Sequence, residues 1–177
     1  MIGCGGKEKK VVEDRKRQLP PPGTAEKFLL KEEPKGAKDV IAVRKDAKHD
    51  DSILVVGRIG GSENPWIKDR AAFSIVDLSL KACSDIEGDN CPAPWDYCCE
   101  DPDDLKMGMA SVRLLDEASV RPIRTSAEGA GGLEPLKFVV VSGTVSDSND
   151  VGLFVVDAQQ VWVGGKPTFK EPRAGSE

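Results

Sequence analysis

No apolar run in this sequence approaches the roughly 20 residues that a helix needs to cross a bilayer, which excludes a membrane-spanning helix from it. Histidine occurs once, as His49, so paired-histidine metal motifs are excluded. His49 itself falls at the end of a predicted helix, where the dipole favours a cation. Neither a nucleophile elbow (G-x-S-x-G) nor a phosphate loop (G-x-x-x-x-G-K-[ST]) is present. Paired carboxylates exist, but nothing in the sequence marks one as buried enough to serve as a general acid. The chain therefore reads as a non-enzyme. Aromatics are few: three Trp, one Tyr and five Phe. Between Cys83 and Asp104 there is no Lys or Arg at all, against eight carboxylates (Asp85, Glu87, Asp89, Asp96, Glu100, Asp101, Asp103, Asp104).

What is present bounds the rest. A chain of 177 residues supports one domain of ordinary size with extensions, and 39% hydrophobic content fits a small core with polar tails. The net charge of −5 is uneven. Lys7 to Arg17 holds six basic and three acidic residues, a local +3 that leaves −8 for the remainder. A domain that acidic repels phosphate backbones, so nucleic acid is a disfavoured partner.

The first residues, Met1-Ile-Gly-Cys4-Gly-Gly, resemble the cleavage box of bacterial lipoproteins, in which the cysteine is lipidated. The charged and apolar regions of a signal peptide are missing. Either such a segment precedes Met1, or Cys4 is an ordinary thiol of a cytoplasmic protein. The charged and Pro-rich residues that follow have the composition of a solvated tether. The expectation is an extracytoplasmic protein whose membrane association runs only through a lipid on Cys4.

Apolar periodicity organises the remainder. Val40, Val43 and Ala47 share one face of a predicted helix over 37–48. From Ser52 the period changes to that of strands: 53–59, 70–80, 110–115, 138–145 and 151–163. Glycines inside the first and fourth of these, Gly57 and Gly143, mark bends or close backbone approaches. The expected segments are 1–24 as lipobox-like start and disordered tether, 25–51 as an N-terminal part with the helix, 52–163 as the β domain, and 164–177 as a disordered tail.

Val55-Val-Gly57-Arg-Ile59, then Ala71-Ala-Phe73-Ser-Ile75-Val-Asp77, then Val140-Val-Ser-Gly143-Thr-Val145 with Leu153-Phe-Val-Val156, resemble the OB-fold, whose first hairpin repeats a V-x-G-x-I, loop, A-x-F-x-I-x-D pattern. The string Pro94-Trp-Asp-Tyr-Cys-Cys99 also resembles uncharacterised bacterial exported proteins of OB type. The resemblance covers 52–163 and implies a mainly β fold: a five-stranded barrel preceded by an α-helix, with a large cysteine-containing loop between the second and third strands. The usual helix between the third and fourth strands is reduced to about one turn, Leu133 to Leu136. An OB ligand face is built from the second and third strands and the adjoining hairpin loops, here 60–69 and 147–150. The ligand-binding candidates are therefore Trp66, Lys68 and Arg70, together with Trp95, Asp96 and Tyr97 of the cysteine loop. Trp66 and Trp95 are the candidates for stacking on a base or sugar. The implied partner is a protein, peptide or saccharide at the cell envelope.

The cysteine loop admits several chemistries. The spacing C-x7-C-x6-C-C (Cys83, Cys91, Cys98, Cys99) matches no paired-knuckle zinc motif. Adjacent cysteines rarely bond each other, so Cys98 and Cys99 would reach Cys83 and Cys91. Two such disulfides would staple an otherwise coreless loop, each contributing about 2–4 kcal/mol, with Trp95 covering one of them. No cofactor is then needed. Alternatively the four thiols hold Zn or Cu, although eight nearby carboxylates oppose thiolate formation until a cation neutralises them. A redox-active thiol pair is a third possibility. Asp85, Glu87 and Asp89 around Gly88 are a weak Ca2+ candidate, lacking the length and terminal Glu of a calcium loop.

Overall fold

The computed structural model describes residues 25–116 and 121–165. The lipobox-like start, Cys4, the tether and most of the expected tail lie outside these residues. The elements, in chain order, are β1 (Leu29–Leu30), β2 (Lys38–Asp39), α1 (Val40–Asp46), β3 (Ser52–Ile59), β4 (Ala72–Val76), α2 (Pro102–Gly108), β5 (Met109–Leu114), β6 (Phe138–Ser148) and β7 (Phe154–Gly164). Short 3-10 turns lie at Glu26–Phe28, Cys83–Asp85 and Ala130–Gly132.

Five strands close on themselves. β3 pairs antiparallel with β4 and β4 with β5. β5 runs parallel to β7, β7 antiparallel to β6, and β6 antiparallel to β3. This is a mainly β, five-stranded OB-like barrel with a preceding helix and a large insert between its second and third strands, β4 and β5. β2 pairs with the middle of β3 (Lys38↔Val55), before β3 meets β4, and β1 with the second half of β7 (Leu29↔Val161), after β7 has left β5; both strands stay paired with β6 there.

Alternation built the interior. The β5 side chains run half-buried, buried, half-buried, buried, so Ala110, Val112 and Leu114 point inward. They meet Val55, Ile59, Phe73, Ile75, Val139, Val141, Val145, Phe154 and Val156 in one apolar cluster. Gly57 and Gly143 sit where strands crowd. A Cβ on Gly57 would lie 3.0 Å from Ile75 Cβ, and one on Gly143 would lie 2.4 Å from the Asp157 carbonyl oxygen. β6 shifts register against β7 between Ser142 and Gly143, so the expected bend is a β-bulge.

The predicted helix is real but shorter. Lys38 and Asp39 are taken by β3, so α1 starts at Val40. Val40 and Val43 enter the barrel core as the period implied, whereas Ile41 is exposed. The cap comes from outside the helix. Asp77, 2% exposed at the end of β4, accepts the Ile41 amide at 2.7 Å and both the Ser79 amide and hydroxyl. The turn expected at 133–136 lies earlier, at Ala130–Gly132, while Leu136 takes a positive φ of 67°.

Candidate functional site

The insert between β4 and β5 folds as a unit of its own. Its two arms are laced by backbone bonds, Cys83 N–H to the Asp96 carbonyl (2.9 Å) and Ser84 N–H to that of Pro94 (3.0 Å). Asp85 accepts the Ala82 amide and closes the Cys83–Asp85 turn. The second arm ends in α2, a helix that apolar periodicity did not reveal. Its signals were local ones: Asp101 accepts the Asp103 and Asp104 amides and Pro102 fills the first turn.

The loop was expected from sequence to be coreless, but Tyr97 supplies a core. Tyr97 is 1% exposed and packs with Val76 and Ala82, flanked by Leu80, Leu105, Met109 and Leu136. This cluster lies apart from the barrel interior. The insert docks on the β3–β4 loop through two hydrogen bonds: Gly61 N–H to the Trp95 carbonyl (3.1 Å) and Trp95 Nε1–H to the Glu63 carbonyl (2.9 Å). A Cβ on Gly60 would stand 2.5 Å from the Trp95 carbonyl oxygen. The Gly60-Gly61 pair is therefore the seat of the insert, and glycine there is required by close approach.

Four cysteines converge in the insert as free thiols. Cys83 is buried, Cys91 half-buried, and Cys98 and Cys99 exposed. The Cys83 and Cys98 sulfurs are 3.4 Å apart, well beyond the ~2.05 Å of a disulfide, so the expected disulfides are not formed. Trp95 accordingly covers no disulfide and serves to dock the insert. Cys83, Cys98 and Cys99 have sulfurs within 4.8 Å of one another, and Cys91 Sγ lies within the same distance of Cys83 and Cys98. Burial, and then contact with the Cys98 thiol, pushes the Cys83 pKa up, while the Cys98 backbone amide opposes that rise.

Beside the cysteines a cavity of about 220 Å³ opens between the insert and the outer wall of the barrel, lined by Arg58, Asp77, Leu78, Leu80, Asp85, Tyr97 and Phe138. Arg58 projects from the outer face of β3. Its guanidinium lies over the Phe138 ring at 5.4 Å, pairs with Asp85, and donates from Nε to the Leu136 carbonyl. The Tyr97 hydroxyl is buried and makes no well-aligned hydrogen bond, with the Arg58 guanidinium as the donor group nearest to it. Burial pushes its pKa up to about 12, although the nearby Arg58 charge pulls the other way. The phenol therefore stays protonated and available as a donor at neutral pH.

Of the ligand candidates read from sequence, only Tyr97 lines this cavity. Trp66 is 7% exposed and packs on Phe73 with ring centres 5.7 Å apart, inside the core and not on an exposed loop. It is lost as a stacking platform because a bridge to Phe73 draws it inward. Lys68 is exposed, and Arg70 donates to the neighbouring Asp69 carbonyl. Asp96 holds the insert, accepting the Tyr97 amide with its carboxylate. Arg58 and Phe138 were missed in the sequence because both sit in strands that read as core, and nothing local marks an outward-facing position as a cavity wall.

The lone tyrosine is a clean probe of the insert. Between pH 10 and 12 the unfolded phenol loses its proton and the folded one keeps it, so stability is complete below pH 10 and falls as pH rises towards 12. A loss of about 2–3 kcal/mol across that window is expected. Tyrosinate absorbance should titrate near 12 in the native chain and near 10 in denaturant. A native midpoint near 10 would contradict the burial described above. No family model matches the chain, and no curated protein matches it.

Proposed function

We propose that this chain is a non-enzymatic binding module of the bacterial cell envelope, held at the membrane through a lipid on Cys4. Its ligand is a peptide or saccharide presenting a carboxylate or carbonyl group to the cavity at Arg58 and Tyr97. The observation that carries this reading is the Tyr97 hydroxyl, buried without a well-aligned partner beside the Arg58 guanidinium in a lined cavity. A buried hydroxyl left unsatisfied costs about 1–3 kcal/mol, and an acceptor atom of a ligand relieves that cost. Asp85 already shows how an oxygen anion engages Arg58, and a ligand carboxylate competes for the same fork. Phe138 and Leu80 give the cavity apolar walls suited to the body of a sugar or side chain.

The test separates binding from stability. Acidic and neutral peptides and oligosaccharides are titrated into isotope-labelled protein, and amide shifts are followed at the residues lining the cavity. Tyr97→Phe is expected to leave thermal stability unchanged or raised, since it removes an unsatisfied hydroxyl, and to weaken a ligand found in this way at least tenfold. Arg58→Gln is expected to weaken it further. Binding equal in all three proteins, or shifts confined to other faces, refutes the assignment.

A further inference from the structure

We propose that Cys83, Cys91, Cys98 and Cys99 together bind one thiophilic d10 metal ion, with zinc as the ion of choice. A tetrahedral tetrathiolate with Zn–S bonds of about 2.3 Å places its sulfurs about 3.8 Å apart. Cys83 and Cys98 stand at 3.4 Å, close to that edge and far from a covalent bond. Cys91 and Cys99 each lie within 4.8 Å of both. The arrangement is two triangles sharing the Cys83–Cys98 edge, and a tetrahedron requires the half-buried Cys91 and exposed Cys99 side chains to swing toward each other.

Disulfide chemistry fits this arrangement less well. Two disulfides require four sulfurs to separate into two pairs, and the short Cys83–Cys98 edge belongs to neither pairing that uses all four, Cys83–Cys91 with Cys98–Cys99 or Cys83–Cys99 with Cys91–Cys98. Pairing the nearest two also strands Cys91 and Cys99, which belong to no common group. The surroundings suit a shared ion. Asp89 and Asp96 stand within 4.8 Å of the cysteine sulfurs and are themselves held by the Cys91 and Tyr97 amides. In the apo form these carboxylates disfavour thiolates, but a divalent cation reverses that electrostatic balance.

Binding needs no oxidant or reductant. Four thiols give up four protons as four metal–sulfur bonds form. Coordination occupies the thiolate electron pairs that would otherwise attack a disulfide, so a loaded site resists oxidation wherever the protein resides.

The test uses the full chain. Elemental analysis of protein purified without chelator or reductant is expected to find one zinc per chain. Reduced protein titrated with Co(II) should saturate at one equivalent, with the intense visible bands and sulfur charge-transfer bands of tetrahedral thiolate coordination. Four thiols should resist alkylation until a chelator is added. Cys99→Ser should weaken Co(II) affinity at least tenfold, and Cys4→Ser should leave it unchanged. The wild-type spectrum decides the matter if Cys83→Ser fails to fold. A metal-free native chain whose mass is short of four hydrogens, with both disulfides formed, overturns the proposal. So does a reduced chain that takes up no Co(II) in tetrahedral form.

Discussion

Truncating Tyr97 to alanine is expected to release the cysteine insert while the barrel stays folded. Tyr97 is the largest fully buried side chain of the chain's described residues and the centre of the insert's small cluster. Removing a large buried ring costs about 3–5 kcal/mol through lost transfer energy and the cavity left behind. The lower part of that range is expected, because the unsatisfied hydroxyl leaves with the ring. Besides Tyr97 the insert supplies only Ala82, Leu80 and Leu105 to this cluster, packed on Val76, Met109 and Leu136 from outside it, so that loss exceeds what a segment of this size can spare. The barrel core contains none of these residues. Hydrogen exchange is the discriminating measurement. Amides of 77–108 should lose protection, those of β3, β6 and β7 should keep it, and the cysteines should react faster with alkylating agents. Uniform loss over the whole chain would show that insert and barrel fold as one unit.

Gly143→Ala is expected to strike the barrel itself. The new methyl carbon would sit 2.4 Å from the Asp157 carbonyl oxygen and 3.0 Å from Val156 Cγ1. A carbonyl in a paired strand cannot turn aside as a flexible side chain can, so β6 and β7 must separate at the bulge. Gly143 pairs with Ile53 on one side and Ala158 on the other, in the longest run of strand pairing in the molecule. Overpacking at such a point costs about 1–3 kcal/mol, and broken ladder bonds take it to the top of that range or past it. Gly57→Ala is the control. Its nearest neighbours, Ile75 Cβ and the Val76 carbonyl oxygen at 3.0 Å and Ile75 Cδ1 at 3.1 Å, stand 0.6 Å or more farther off than the Asp157 oxygen does from Gly143, so a smaller loss in denaturant midpoint is expected. Equal losses at the two sites would refute the ranking.

Much of the barrel was legible beforehand. Alternation and β-branched apolar runs located all five strands, and the two glycines inside strands marked the crowded crossings at Ile75 and Asp157. The face of α1 was read correctly at Val40 and Val43. Its start was misplaced because Lys38 and Asp39 form a strand only through a distant partner, β3. α2 was overlooked since a seven-residue helix carries too little apolar periodicity, although its Asp–Pro start was readable. Trp66 was placed on the surface for being in a Gly/Pro loop. A loop's composition reports backbone freedom and says nothing of which way one ring turns.

Composition and spacing by themselves determined that no apolar run in the sequence is long enough to cross a membrane as a helix, that five segments have strand character, and that cysteine and carboxylate concentrate in one stretch. Those properties are local, written in windows a few residues long. Only the tertiary structure decided that Arg58, Phe138 and Tyr97, distant in sequence, line one cavity. It likewise decided that four sulfurs spaced C-x7-C-x6-C-C gather around one shared Cys83–Cys98 edge. Such convergence depends on Tyr97 anchoring one arm of the insert and on the Cys83–Asp96 and Ser84–Pro94 bonds lacing it to the other. No residue interval encodes a contact of that kind, because the path between the cysteines follows no regular period.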